Sequence, residues 1–175
     1  VAFCRQPQLQ LRLPTERYYE EEGRAELTPR DFGILMHRVF ENAATTDEIY
    51  TAIEAMTQDG VLDEKEAPRL RELVEKALAD PVTAEWFGGR WQVVRNENEI
   101  ILPGSGTTRR PDRVMTDGER AVVVDYKFGD RETARHRKQI REYLRLLRQM
   151  GYTRTEGYLW YVRLGRTERV EEKED

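Results

Sequence analysis

Residues 109–129 read RRPDRVMTDGERAVVVDYKFG, and the reading of the fold starts there. Ala121, Val122, Val123 and Val124 are four small or β-branched apolar residues in a row, the mark of a buried strand. The run ends in Asp125, Tyr126 and Lys127, so this buried strand terminates in charge. Side chains alternate along a strand, and Asp125 and Lys127 therefore share one side. Asp117-Gly118 marks a tight turn, which puts a second acid, Asp112, on the preceding strand just after Pro111. The hairpin thus predicts two carboxylates and an ammonium together at the edge of a core.

Outward from the hairpin, hydrophobic periodicity assigns the other elements. WQVVRNE, EIILPG and RRPDRVMT read as successive strands leading into AVVVDYKF. Before them come three helices. The first opens at Thr28-Pro29 and runs to about residue 44, with Phe32, Leu35, Met36, Val39 and Phe40 on one stripe and His37 at its border. The second opens at Thr45, with Glu48 in capping-box spacing, and closes at Asp59-Gly60. The third spans residues 63–78 and is broken by Asp80-Pro81. After the hairpin a long helix covers residues 132–150, with Ile140, Tyr143, Leu144 and Leu147 on its apolar face. TEGYLWYVRL is a last strand, followed by a charged tail from Arg166. QLQLRL, near the start, is a short strand or an extended linker stopped by Pro14. This order predicts an α/β (α+β layered) domain.

A chain of 175 residues holds one domain with a proper core. Its apolar fraction of 38% and charged fraction of 35% predict a modest core under a charged surface. Three Trp, eight Tyr and five Phe are too many aromatics for a disordered acidic chain. No apolar run approaches a membrane span and no signal-peptide pattern opens the sequence, so the expectation is a cytoplasmic protein without a membrane partner. The single Cys4 excludes an intrachain disulfide framework and any four-cysteine zinc or iron–sulfur site. The net charge of −4 conceals an asymmetry: Lys and Arg outnumber Asp and Glu over residues 104–163, and the reverse holds elsewhere. A basic half of this kind fits a polyanion-binding face or a solvated helix surface. The start at Val1, in a polar stretch, suggests a domain cut from a longer protein.

Two carboxylates held close repel unless a cation lies between them. Carboxylates, a backbone carbonyl and waters are the oxygen ligands that Mg²⁺ prefers, with Mn²⁺ as a substitute. A metal there would polarise a phosphodiester oxygen and lower the pKa of a bound water. Lys127, beside Asp125, could orient that water or stabilise charge in the transition state. A surface ion pair is the competing reading of D-x-K. No partner set for a Ser-His-Asp or Cys-His hydrolase is found in the sequence.

GILMHRVFENA, RRPDRV, VVVDYKFG and QIREY, in that order and at these spacings, resemble the RecB-type nuclease domain of the PD-(D/E)XK superfamily. They are particularly similar to the C-terminal nuclease of AddA-like (UvrD/Rep-type) helicase-nucleases, over nearly all of residues 32–162. The resemblance implies a restriction-endonuclease-like core: a central mixed sheet flanked by helices, with an extra N-terminal helical segment. It divides the chain into an extended segment over 1–27, the nuclease domain over 28–170 and a charged tail over 171–175. It makes Asp112 and Asp125 metal ligands, with the Tyr126 carbonyl and His37 completing the site, and Lys127 the catalytic lysine. Gln139 and Tyr143, sharing a helix face at i, i+4, match the family's Q-x-x-x-Y motif and would help bind DNA, as would Arg141 and Arg145. Glu99 matches an acidic position of the family.

The implied function is a Mg²⁺-dependent DNA nuclease acting on single-stranded DNA in double-strand-break repair and recombination. Its partners would be the helicase domain of the same full-length protein and an AddB-like second subunit. The alternative is a catalytically inactive nuclease-like domain that binds DNA or a partner. Each residue also has a plainer role: His37 as a helix-border histidine, Tyr143 as core, the arginines and His136 as a solvated face, and Glu99 in a cross-strand ion pair. No G-x-x-x-x-G-K-[ST] occurs, GSGTTRR having the wrong shape, so no nucleotide is expected on this chain.

Overall fold

The computed structural model describes residues 29–96, 100–101, 108–129, 131 and 133–172. The predicted QLQLRL strand, Cys4, Glu99 and the GSGT loop lie outside the described residues. Strands β4 (Arg113–Asp117) and β5 (Arg120–Lys127) form the predicted hairpin, antiparallel, with Asp117 paired to Arg120 around Gly118-Glu119. Val122, Val123 and Val124 are fully buried because β5 is the middle strand of five and is covered on both faces. The sheet order is β1-β4-β5-β6-β7, where β1 is Val93–Asn96, β6 is Arg154–Tyr161 and β7 is Arg166–Arg169. Only β5 and β6 run parallel, joined by the crossover helix α5 (Ala134–Gln149). The result is a mixed, helix-flanked α/β sheet, with β2 (Ile100–Ile101) and β3 (Thr108–Arg109) as a separate two-stranded ribbon.

Helices α1 (Pro29–Glu41), α2 (Thr46–Gln58), α3 (Ala67–Ala77) and α4 (Pro81–Trp86) cover one face. The capping box at Thr45 and Glu48 forms as predicted. An aromatic cluster joins these helices to the sheet: ring centroids lie 5.1 Å apart for Phe40 and Trp160, 5.2 Å for Phe40 and Tyr126, and 5.6 Å for Trp86 and Trp160. Those separations suit tilted and edge-on ring contacts. On the opposite face α5 packs Ile140, Tyr143, Leu144 and Leu147 against Val123, Leu159 and Tyr161. Gly157 of β6 lets it approach, since a Cβ there would lie 2.4 Å from Ile140 Cγ2.

Three boundaries differ from the sequence reading. The third helix starts at Ala67 rather than 63, because Asp63 first forms a turn that accepts the Lys65 amide at 2.8 Å and Pro68 then favours a new first turn. RRPDRVMT is not one strand but β3 and β4, separated at Pro111, which has no N–H to give a ladder. The residues from Arg166 are not a tail. They turn back as β7 along β6, and Val170, buried, donates its amide to Gly157 O at 2.8 Å.

Candidate active site

Arg113 pairs with Val124, so one step further along the hairpin Asp112 faces Asp125. Pro111 frees Asp112 from the regular ladder, and its Oδ2 accepts the Tyr126 amide at 2.6 Å. Asp125 is 4% exposed. The Lys127 ammonium stands 2.5 Å from Asp125 Oδ2, a close ion pair at the buried end of β5. Burial, then the charge of Asp125 and a hydrogen bond with it, push the Asp112 carboxyl up to about 8, against the opposing pull of the Tyr126 amide and Lys127. Around neutral pH Asp112 therefore tends to keep its proton.

His37 reaches this pair from α1. Its stripe-mates Phe32, Leu35, Met36, Val39 and Phe40 are buried, and His37 sits at the border, its ring 4.8 Å from Phe128 and 5.9 Å from Tyr126. Its Nδ1 lies 3.8 Å from Asp112 Oδ1. Gly33 permits this approach of helix to strand end, as a Cβ there would meet Phe128 Cβ at 3.3 Å.

On α5, Gln139 Nε2 donates to the Tyr143 hydroxyl at 2.9 Å, and Tyr143 is itself a core residue at 1% exposure. The basic face of α5 is partly engaged by the C-terminal segment. Arg137 pairs with Glu168, Arg141 Nε donates to the Glu171 carbonyl at 3.2 Å, and Arg148 Nη1 meets Glu172 Oε2 at 2.6 Å. Arg145 is exposed.

One residue, Arg113, was not assigned a role from the sequence. Arg113, immediately after Asp112, is fully buried on the helical face. It donates to Ala43 O at 2.6 Å, Trp86 O at 2.7 Å, Ala44 O at 2.8 Å and Asn96 Oδ1 at 3.1 Å, and lies 4.0 Å over the Phe87 ring. It ties β4 to the α1–α2 connection and the end of α4. Strand alternation carried the signal, since Arg113 falls in phase with the core residue Met115. His136, in the first turn of α5, is half-buried, and burial and the charge of Lys127 lower its pKa.

Among the described residues no three or more His, Cys, Asp and Glu side chains are grouped to hold a metal ion. His37, Asp112 and Asp125 thus do not form a closed three-side-chain cage. What the hairpin does offer is a pair of apposed carboxylates, each disfavouring the other's charge, a hard oxygen donor set that fits a divalent cation such as Mg²⁺.

A mixed sheet flanked by helices, with two acids and a lysine at the end of its central hairpin, defines a restriction-endonuclease-like α/β fold. A sequence profile of the PD-(D/E)XK nuclease superfamily matches residues 8–175, and the chain belongs to that superfamily. Its members are mostly nucleases and typically use divalent metals. No curated protein matches the chain. No helix among the described residues is long and apolar enough to cross a membrane.

Proposed function

We propose that the chain is a metal-dependent deoxyribonuclease that hydrolyses phosphodiester bonds at Asp112, Asp125 and Lys127. The observation that carries this reading is the apposition of Asp112 and Asp125 with Lys127 beside them. Asp112, Asp125 and the Tyr126 carbonyl would hold a Mg²⁺ ion, with His37 alongside Asp112. The chemistry such an ion supplies when bound is Lewis-acid activation of the phosphodiester and of the attacking water. Asp112 would have to be ionised to hold such an ion, since carboxylates ligate in the ionised form. Lys127 has its ammonium fixed by Asp125 before substrate arrives, so it can stabilise negative charge developing on the phosphate without reorganisation. His37, packed against Tyr126 and Phe128, holds Asp112 in place. Gln139 supports the strand-binding side through Tyr143.

The finer reading is that the domain acts as the C-terminal exonuclease module of a helicase-nuclease, on single-stranded DNA during double-strand-break repair, in the cytoplasm, with the helicase domain of the full-length protein and an AddB-like subunit as partners. It is supported by the order and spacing of the four sequence motifs. The test is incubation of the purified chain with end-labelled single- and double-stranded DNA in Mg²⁺, Mn²⁺ or EDTA. Metal-dependent shortening of single strands from an end is the expected result. DNA binding without cleavage in either metal would instead leave the inactive nuclease-like module.

A further inference from the structure

Arg137, Arg141, Arg145 and Arg148 follow one another at i, i+4, i+8 and i+11 on α5 and so form one stripe about 16 Å long. The helix carries five arginines and Lys138 against one acid, Glu142. Three of the four stripe arginines are engaged by one stretch of chain, residues 168–172. Arg137 holds the Glu168 carboxylate side-on, through Nε to Oε1 and through Nη2 to Oε2 at 3.3 Å. Arg141 Nε donates to the Glu171 carbonyl at 3.2 Å, and Arg148 Nη1 meets Glu172 Oε2 at 2.6 Å. The order is the same in helix and segment, so the segment runs alongside the stripe. It starts beside the site: Tyr161 lies between Lys127 and Arg166 in the sheet, and β7 leads away from there.

The segment has an anchor and a cover. Val170 is the anchor, buried and with its amide on Gly157 O. Glu168 and Glu172 are the cover: their side chains are 23% and 27% exposed, and those of Arg137 and Arg148 are 35% and 58% exposed. Ion pairs open to solvent contribute little to stability, so these two occupy their arginines more than they hold the fold. Arg169 pairs with Glu171 at 3.5 Å, which leaves the carboxylates of Glu168 and Glu172 to α5. A guanidinium gripping two oxygens side-on is also the way arginine takes a phosphate, and Glu168 presents its carboxylate to Arg137 in that geometry.

We propose that the α5 stripe is a track for the phosphate backbone of a nucleic-acid strand leading away from the site, and that Glu168 and Glu172 are its built-in competitor. They hold two of its arginines until a strand displaces them. The proposal rests on the nuclease reading for its partner. Being part of the same chain, the competitor stands at a high effective concentration. A lone phosphate competes poorly with it, whereas a strand engages the whole stripe at once. Arginine on phosphate reads no bases, so the track holds strands of any sequence.

Binding of a labelled single-stranded oligonucleotide in EDTA, followed by fluorescence anisotropy, tests the track without any cleavage. Glu168→Gln/Glu172→Gln should bind about 10-fold more tightly near physiological salt. Its log–log slope of affinity against salt should steepen by about 1.4, roughly 0.7 for each arginine released. Glu54→Gln/Glu72→Gln is the control, because it removes two carboxylates that are likewise paired, with Arg71 and Lys76, on the opposite layer of helices. It changes net charge equally and should leave affinity and slope as they were. Adding Arg137→Gln/Arg148→Gln to the first variant should erase its gain. Glu172→Gln alone should give half the change in slope, which keeps the test open if loss of Glu168 loosens β7. No gain in affinity, an equal gain in the control, or a gain that survives loss of the two arginines overturns the track. So does a chain that binds no oligonucleotide in any form. The two readings fail separately: a chain that tightens on DNA as expected but cuts none loses the nuclease assignment and keeps the track. Cleavage with no gain in the glutamine variant does the opposite.

Discussion

Asp112 and Arg113 are neighbours in the chain and face opposite sides of one sheet, and the protein treats their charges differently. Arg113 is wholly buried, yet its two terminal nitrogens have four acceptors and its plane lies on Phe87. Asp112 retains some exposure and accepts the Tyr126 amide while facing a second carboxylate. A buried charge whose terminal nitrogens are held by several acceptors serves as structure, although Arg113 Nε has no hydrogen-bond partner among the described residues. One left short of partners beside a like charge is costly to the resting fold, and such groups cluster at reaction centres. One strand end thus carries an anchor on its helical face and an apposed carboxylate pair on the α5 face.

The largest expected effect tests the anchor. Arg113→Met should lower stability by about 3–5 kcal/mol, because four buried or half-buried acceptors each lose a donor at once, only Ala43 O keeping a second one from Asn96 Nδ2. Urea denaturation measures it, and a loss below about 1 kcal/mol would erase the contrast between the two faces.

Next in size is Lys127→Ala. A preorganised cation near the developing charge is worth a few kcal/mol, so single-turnover cleavage should fall on the order of 10²-fold or more. Mn²⁺ affinity, measured by calorimetry, should stay the same or improve, as the ammonium repels the ion. Normal cleavage would reduce the Asp125–Lys127 contact to a structural ion pair.

A smaller effect follows from the pH dependence of Asp112. Its folded pKa, about 8, stands above the ordinary 3.8, so between those values the folded chain holds a proton that the unfolded chain has lost. Stability of the metal-free protein should therefore fall as pH rises through that window, and Asp112→Asn should flatten the curve and leave the protein as stable or more stable near neutrality. A stability that instead rises with pH across the window, or a large loss in the Asn variant, would put Asp112 on the same footing as Arg113.

The smallest effect sharpens the comparison on the α5 face alone. Neutralising Arg145, exposed, should make the log–log slope of DNA affinity against salt shallower by about one. Arg141→Gln should change it less, since Arg141 already donates to the Glu171 carbonyl. Equal slopes for the two variants would mean that this contact yields freely to DNA.

The sequence by itself determined what near neighbours control. The Asp117-Gly118 turn sets the hairpin, strand alternation aligns Asp125 with Lys127, and Thr45-x-x-Glu48 caps α2, because each depends on residues within a few positions. His37 on the border of its helical stripe was legible for the same reason, and so was Gln139 against Tyr143 at i, i+4. Glu99 lies outside the described residues. Tertiary structure alone decided the rest. Arg113 became an anchor only because Ala43, Ala44 and Trp86 bring their carbonyls to it from 27 to 70 positions away. The charged segment from Arg166 became a strand because β6 offered it a free edge, and once there its neighbours drew Arg137, Arg141 and Arg148 out of the uniform basic face that periodicity describes. Periodicity fixes which side a residue faces. The energy of a charge depends on which distant groups pack against that side, and only the folded chain supplies them.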